Sequence, residues 1–276
     1  MNRRNAIKTA LGVAAVSAAG LRPAAASDRP VLKPARLRPG MTVGIIAPAS
    51  STGENEDIHT ATEIIQSLGF KTKHGKNLFA RSQYLAGSDR GRADDVNAMF
   101  GDDSVDAIIC LRGGYGTPRI LPYLDYDIIR ANPKVLLGYS DITGLLTAIH
   151  TQTGMVVYHG PTAHHSYSDY SLAEFQKVLM KPESRSYIGA SPPFETAPGR
   201  IDMKNRLTTY VPGKARGRLL GGNLTLLTSL MGSPYEPDFR GRILFLEDVG
   251  EAPYRIDRML TQLWLAGRLQ EVAGIA

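Results

Sequence analysis

Leu136-Leu137-Gly138-Tyr139-Ser140-Asp141-Ile142 is the stretch on which the fold turns. An apolar run over residues 134–138 has the length of a buried strand, and residues 141–151 have the length and periodicity of a helix. Ser140 is caught in the tight turn between them. A serine there fits two roles. It can be the exposed nucleophile of a strand-to-helix elbow, lifted above the end of a parallel sheet, with the positive dipole and free N–H groups of the helix beside it. It can equally cap that helix with its hydroxyl. The elbow pattern is partial, because its usual second glycine is replaced by Ile142.

The same alternation extends on both sides. Residues 42–47 form a short apolar run ending in Pro48-Ala49-Ser50-Ser51, and residues 56–68 carry Ile58, Ala61, Ile64, Ile65 and Leu68 at helix spacing. A further helix is expected at 90–100, a buried strand at 106–111 and another strand at 155–158. Apolar runs of strand length alternating with helices indicate an α/β parallel sheet covered on both faces. Beyond it, Pro182, Pro192-Pro193 and Pro198-Gly199 mark residues 181–215 as a linker. Residues 216–276 then hold a Gly-rich turn at Gly221-Gly222-Asn223, a strand at 242–246 and a helix at 253–269. The last residues, Gly274-Ile275-Ala276, read as the start of another strand.

Ligands of an open parallel sheet bind beyond the carboxyl ends of its strands, and two more segments lie at such ends. Arg112-Gly113-Gly114-Tyr115-Gly116 follows the 106–111 strand, and its glycines let the backbone approach a ligand closely. It can supply an oxyanion donor beside the serine, or be a tight turn only. A phosphate loop is disfavoured, since neither Lys-Ser/Thr nor Gly-x-Gly-x-x-Gly spacing is present. Leu246-Glu247-Asp248-Val249-Gly250-Glu251 follows the 242–246 strand; its acids can orient a histidine, bind a metal or face solvent. No histidine occurs after His165, which weakens the metal reading.

The first residues differ from the rest. Arg3-Arg4 and Lys8 precede an uncharged stretch rich in Ala, Val and Leu, and Ala24-Ala25-Ala26 offers a cleavage site. That is the layout of a secretory signal over residues 1–26; the paired arginines and weakly hydrophobic middle resemble a twin-arginine signal and imply a periplasmic destination. The apolar run is too short to span a bilayer. Residues 1–26 hold four bases (Arg3, Arg4, Lys8, Arg22) and no acids, so the formal net charge of +6 falls to +2 once they are removed. A nucleic-acid partner therefore loses its electrostatic support. Cys110, the single cysteine, cannot form an internal disulfide and reads as a small buried hydrophobe.

Five segments, in order, carry a family resemblance: Arg112-Gly113-Gly114-Tyr115-Gly116, Gly138-Tyr139-Ser140-Asp141-Ile142-Thr143, Tyr158-His159-Gly160-Pro161, Gly221-Gly222-Asn223-Leu224 and Leu246-Glu247-Asp248. Together, over roughly residues 38–276, they resemble the LD-carboxypeptidases, serine peptidases that cut an L,D-peptide bond in peptidoglycan stem peptides. The resemblance implies a Rossmann- or flavodoxin-like domain over residues 36–180, a smaller β-rich domain over 216–276, and a Ser-His-Glu triad. By position Ser140 matches the nucleophile and Glu247 the triad acid. The amides of Gly114 and Asp141 match the oxyanion hole, and Arg112, Gly113 and Tyr115 are expected to contact substrate. No metal or organic cofactor is implied, and a homodimer is.

One departure is large. The family's histidine lies some tens of residues after the acid, and here none follows Glu247. His159 is the most plausible substitute, yet it matches a different motif. The expectation is a C-terminally truncated second domain with an open core and a chain that is inactive or weak. Two other functions stay open: a non-catalytic module that binds murein peptides, and cleavage of peptide-nucleotide antibiotics in the cytoplasm, which a family branch performs. A nucleotide-binding Rossmann protein lacks its fingerprint.

Overall fold

The computed structural model describes residues 30–276 apart from Gly189 and Lys204; the export signal expected at 1–26 lies outside the described residues. Five parallel strands form the larger sheet: β1 (Thr42–Ile46), β2 (Lys71–His74), β3 (Ala107–Cys110), β4 (Val135–Gly138) and β5 (Tyr158–His159). Their order is β2-β1-β3-β4-β5. The chain steps outward from β1 to β2, then returns to build the other half from β3. That reversal opens a crevice between the carboxyl ends of β1 and β3.

Alternation along the strands explains why both faces are dry. Ile108, Cys110 and Leu136 join one core cluster, while Ala107, Ile109 and Leu137 join another on the opposite face. The first is covered by α2 (Asp89–Gly101), α4 (Tyr126–Ala131) and α5 (Ile142–Thr153), through Val96, Phe100, Ile129, Leu145 and Ile149. The second is covered by α1 (Glu56–Ser67) through Ile58, Ala61 and Ile65, and by Phe175 of α6 (Asp169–Phe175). A one-turn helix, α3 (Thr117–Ile120), lies between α2 and α4 in sequence. Each fully buried Ile or Leu contributes about 1.5–3 kcal/mol. Cys110 is wholly buried, and burial pushes its thiol well above the ordinary range, so it behaves as a hydrophobe.

The smaller sheet is also parallel: β6 (Leu219–Asn223), β7 (Ile243–Glu247) and β8 (Gly274–Ile275), in the order β6-β7-β8. Helices α7 (Leu224–Ser229), α8 (Pro253–Leu265) and α9 (Arg268–Glu271) accompany it. Leu220, Leu224, Leu227, Phe239, Leu244 and Leu263 form its own core. Residues Val31–Ala276 make one compact unit. No helix among the described residues is long and apolar enough to cross a membrane.

Three local expectations need correction. Gly221-Gly222-Asn223 is not a turn but the end of β6. A Cβ on Gly221 would stand 1.8 Å from the Phe245 carbonyl oxygen, and one on Gly222 2.6 Å from Thr143 Cγ2. The glycines therefore serve close approach within a strand. The strand expected at 155–158 is only Tyr158–His159. The helix expected over 253–269 breaks at Gly267, whose φ of 78° is left-handed.

Candidate active site

Ser140 sits between β4 and α5 with φ at 60°, one of two non-glycine residues with positive φ among the described residues. Such a backbone costs about 1–3 kcal/mol and persists only where the surroundings enforce it. The helix does not use the serine as a side-chain cap. Asp141 occupies the N-cap without a side-chain capping bond, and the first-turn bonds run from the Ile142 amide to the Tyr139 oxygen (3.2 Å) and from the Thr143 amide to the Ser140 oxygen (2.9 Å). This is the backbone of an elbow. Gly138 makes room for it, since a Cβ there would lie 2.7 Å from Ile142 Cγ2. Ile142, which stands where an elbow usually has glycine, fits into the space Gly138 leaves.

The glycine loop after β3 lies against this serine. A Cβ on Gly113 would stand 3.0 Å from Ser140 Cβ and 3.2 Å from its Oγ, so any larger residue would crowd the hydroxyl. Gly114 has φ at 117°, and its Cβ would stand 2.4 Å from Ser50 Oγ. Ser50 accepts from the Tyr115 amide (3.1 Å), and Arg112 Nη1 donates to the Ser51 carbonyl (3.2 Å). The loops after β1, β3 and β4 thus meet at the crevice. Among the described residues the amides of Gly114 and Asp141 donate to no protein acceptor. Tyr115 is exposed at the rim.

Behind this loop lies a buried polar brace. Arg92 is 1% exposed and donates to the carbonyls of Pro48 (2.6 Å) and Gly116 (3.0 Å), with Asp89 as its ion-pair partner. The Asp141 carboxylate accepts from the Thr117 amide (2.8 Å), and its carbonyl accepts from the Thr117 hydroxyl. Burial pushes the Asp141 carboxyl above the usual range, against the pull of the Thr117 and Gly116 hydrogen bonds and the Arg92 charge.

The acid arrives from the smaller sheet. Glu247 ends β7 and pairs in register with Asn223. Its carboxyl is held above the usual range, first by burial and then by the neighbouring Asp248 charge, with the Asn223 side chain opposing. Glu247 Oε1 and Asp248 Oδ2 are buried without a hydrogen-bond partner. The Asn223 amide in turn donates to Thr143 Oγ1 (3.0 Å), on the first turn of the serine's own helix. One buried bond therefore couples the elbow to the Glu247 strand pair.

Two family models match the chain in succession, the LD-carboxypeptidase N-terminal domain over residues 43–160 and the LD-carboxypeptidase C-terminal domain over 216–276. The chain belongs to the LD-carboxypeptidase family. A Bacillus subtilis protein named "probable murein peptide carboxypeptidase" is 44% identical over 243 residues, 88% of this chain and 73% of that protein. The Escherichia coli microcin C7 self-immunity protein MccF is 32% identical, covering 87% of this chain and 76% of the relative. Among solved structures, an MccF-like protein from Bacillus anthracis superposes with a TM-score of 0.78 at 31% identity, covering 89% of this chain and 79% of that one.

Within this LD-carboxypeptidase scaffold the histidines take other places. His159 lies half-buried at the end of β5, edge-on to Phe245 (ring centroids 5.0 Å apart) and close to Tyr139 (6.2 Å). Its Nδ1 has no partner, and burial lowers its pKa from 6.5 to about 4. His165 stands exposed against Tyr139 (6.0 Å), and His164 Nε2 lies 3.4 Å from Asp57. His150 bonds the Met155 carbonyl oxygen (2.9 Å) and His74 the Thr62 hydroxyl (2.8 Å). Among the described residues no imidazole hydrogen-bonds Ser140 or Glu247, and no group of His, Cys, Asp and Glu could hold a metal ion.

Sequence reasoning passed over Ser50, Arg92, Thr117 and Thr143 as site-building residues. Ser50 carried a signal, since it closes an apolar run at a strand end. Arg92 carried none, because an arginine in a helix reads as solvated.

Proposed function

We propose that this chain is a serine-type LD-carboxypeptidase that removes the terminal D-alanine from murein tetrapeptides, and that as a 276-residue chain it works weakly. One arrangement carries the reading. Left-handed Ser140 lies against Gly113, beside the Gly114 and Asp141 amides that donate to no described acceptor, while Thr143 and Asn223 tie its helix to a carboxylate with a vacant buried oxygen. Ser140 Oγ attacks the carbonyl that precedes the D-residue, and the two amides receive the developing oxyanion. The C–N bond then breaks, the amine of D-alanine leaves with a proton, and water hydrolyses the acyl-enzyme.

The weak step is proton removal from Ser140. Glu247 carries a buried oxygen free to orient a protonated base, but no described imidazole hydrogen-bonds it or the serine. His159 is a poor substitute, being packed edge-on to Phe245 with a pKa lowered to about 4. About 10³–10⁴-fold catalysis over water survives from an oxyanion hole and binding without a triad member. The same arrangement also suits a module that binds murein peptides without cutting them. Residues 1–26 as a twin-arginine signal would deliver the protein to the periplasm, where the murein substrate favours this reading over peptide-nucleotide cleavage.

The test is mass-spectrometric detection of tripeptide and D-alanine from murein tetrapeptide. Slow release, abolished by Ser140→Ala and at least about a hundredfold below the Bacillus subtilis relative, is expected. A comparable rate would refute the missing-base argument. Tetrapeptide that is neither bound nor cut would refute the substrate. Fusing residues 1–26 to a reporter, with and without Arg3-Arg4→Lys-Lys, tests export.

A further inference from the structure

The loop after β2 ends in a feature that the reaction leaves unused. Ser82 and Leu85 exchange backbone bonds (2.9 and 3.0 Å) around a tight turn in which Gln83 takes φ at 56°. This is the second strained non-glycine among the described residues, and it lies at an exposed tip. What the turn presents is Tyr84. The backbone beside that ring is pinned: the Tyr84 carbonyl accepts from the Ser51 amide (3.2 Å), and the Ala86 amide donates to the Ala49 carbonyl (3.1 Å). Ser50, between those residues, holds Tyr115 through its amide.

Tyr84 and Tyr115 are thereby brought together from two loops, with ring centroids 5.7 Å apart and planes at 68°. Both remain about half exposed, at 53% and 54%. Two rings this close normally bury one another in a core. Here they form an open corner, rigid in backbone and two residues from the glycine that abuts Ser140. Arg119 follows Tyr115 by four residues, and Asp89 grips its guanidinium by two parallel bonds (3.0 and 2.8 Å). An aromatic corner with a fixed, polar guanidinium–carboxylate edge is suited to a pyranose. The sugar's C–H face packs on a ring, and its hydroxyl and acetamido groups bond the polar edge.

We infer that Tyr84 and Tyr115 form a subsite for the amino-sugar end of a muramyl peptide. The inference rests on the murein-peptide reading above and adds the glycan to it.

The experiment is calorimetric binding of N-acetylmuramyl-tetrapeptide and of free tetrapeptide to the full chain carrying Ser140→Ala, which prevents turnover. Muramyl-tetrapeptide is expected to bind about five- to tenfold more tightly than free tetrapeptide. Adding Tyr84→Ala should bring that ratio close to one while leaving the free-tetrapeptide Kd within about twofold, and Tyr84→Phe should keep the preference. Equal binding of the two ligands before Tyr84 is changed would overturn the sugar subsite and leave the peptidase reading standing. Equal weakening of both ligands by Tyr84→Ala would make the corner a peptide contact and overturn the proposal. Binding of neither ligand would overturn the peptidase reading and the subsite with it.

Discussion

Acid should destabilise this protein in part through one ring, His159. His159 is half-buried, its Nδ1 lacks a partner, and its neighbours are the edges and faces of Phe245 and Tyr139. A charged imidazolium there would lose its hydration, and burial accordingly lowers its pKa from 6.5 to about 4. The unfolded chain takes up a proton as pH falls through 6.5, while the folded chain stays neutral until about pH 4. Stability from this group is therefore complete above pH 6.5, declines by about 1.4 kcal/mol per pH unit below it, and levels off near pH 4. The whole loss is about 3 kcal/mol, a large part of a typical folding free energy. Urea unfolding between pH 4 and 7.5, of the native chain and of His159→Phe, isolates the effect. Phenylalanine keeps the ring packing, cannot titrate, and removes a buried nitrogen that satisfies no bond. His150 and His74, whose pKa values burial also lowers, are present in both proteins and cancel. The variant is expected to match or exceed the native chain at pH 7 and to gain on it by about 3 kcal/mol by pH 4. A difference between the two that stays constant across that range would refute the burial of a neutral ring.

Three further outcomes follow from the site. Ser140→Gly and Ser140→Ala both remove the hydroxyl, but only glycine accepts φ at 60° without strain, so thermal unfolding should find the glycine variant more stable by about 1 kcal/mol. Glu247 has its pKa raised on folding, so its contribution to stability is present at low pH and lost as pH rises through the folded value; Glu247→Gln should raise the Tm at pH 7, with the gain fading as pH falls through the raised folded value toward 4.5 and absent below it. Arg92→Met leaves the Pro48 and Gly116 carbonyls without their buried donor; it should cost about 3 kcal/mol in urea unfolding and speed tryptic cleavage after Arg112.

The elements that sequence reasoning recovered are those whose faces are uniformly buried. β3 and β4 are buried at every position and stand out as short apolar runs, and the register of one against the other follows from the sheet they share. β2 is an edge strand, Lys71-Thr72-Lys73-His74, with alternate residues at the surface, and so carries no apolar signature in the sequence. β6 reads as a turn in sequence because two glycines outweigh two leucines in any local pattern; only the Phe245 and Thr143 atoms against them, contributed by other elements, give the reason for glycine. The site divides the same way. Ser140, Gly113, Gly114 and Glu247 lie at strand ends and are legible one segment at a time. Ser50, Arg92 and Thr143 act through partners 65, 44 and 80 residues away, at Tyr115, Pro48 and Asn223, and no periodicity registers such a pairing.

Those distant pairings are what make the turn at Ser140 tenable. A left-handed serine relaxes unless its surroundings fix it from several directions, and here the directions can be named. Gly113 closes against its Cβ, Thr117 grips Asp141 at two points, and Asn223 holds Thr143 from the smaller sheet. None of these needs the hydroxyl, so the elbow should survive its removal and remain able to bind. Glu247 is different, because its buried oxygen has no partner and its charge is disfavoured by burial and by Asp248. A carboxylate held in that way gains most from a cationic hydrogen-bond donor placed beside it. The stability gained by Glu247→Gln thus has a second use. It should vanish when such a donor occupies the site, which makes it a measure of whether the proposed triad is complete that does not depend on turnover.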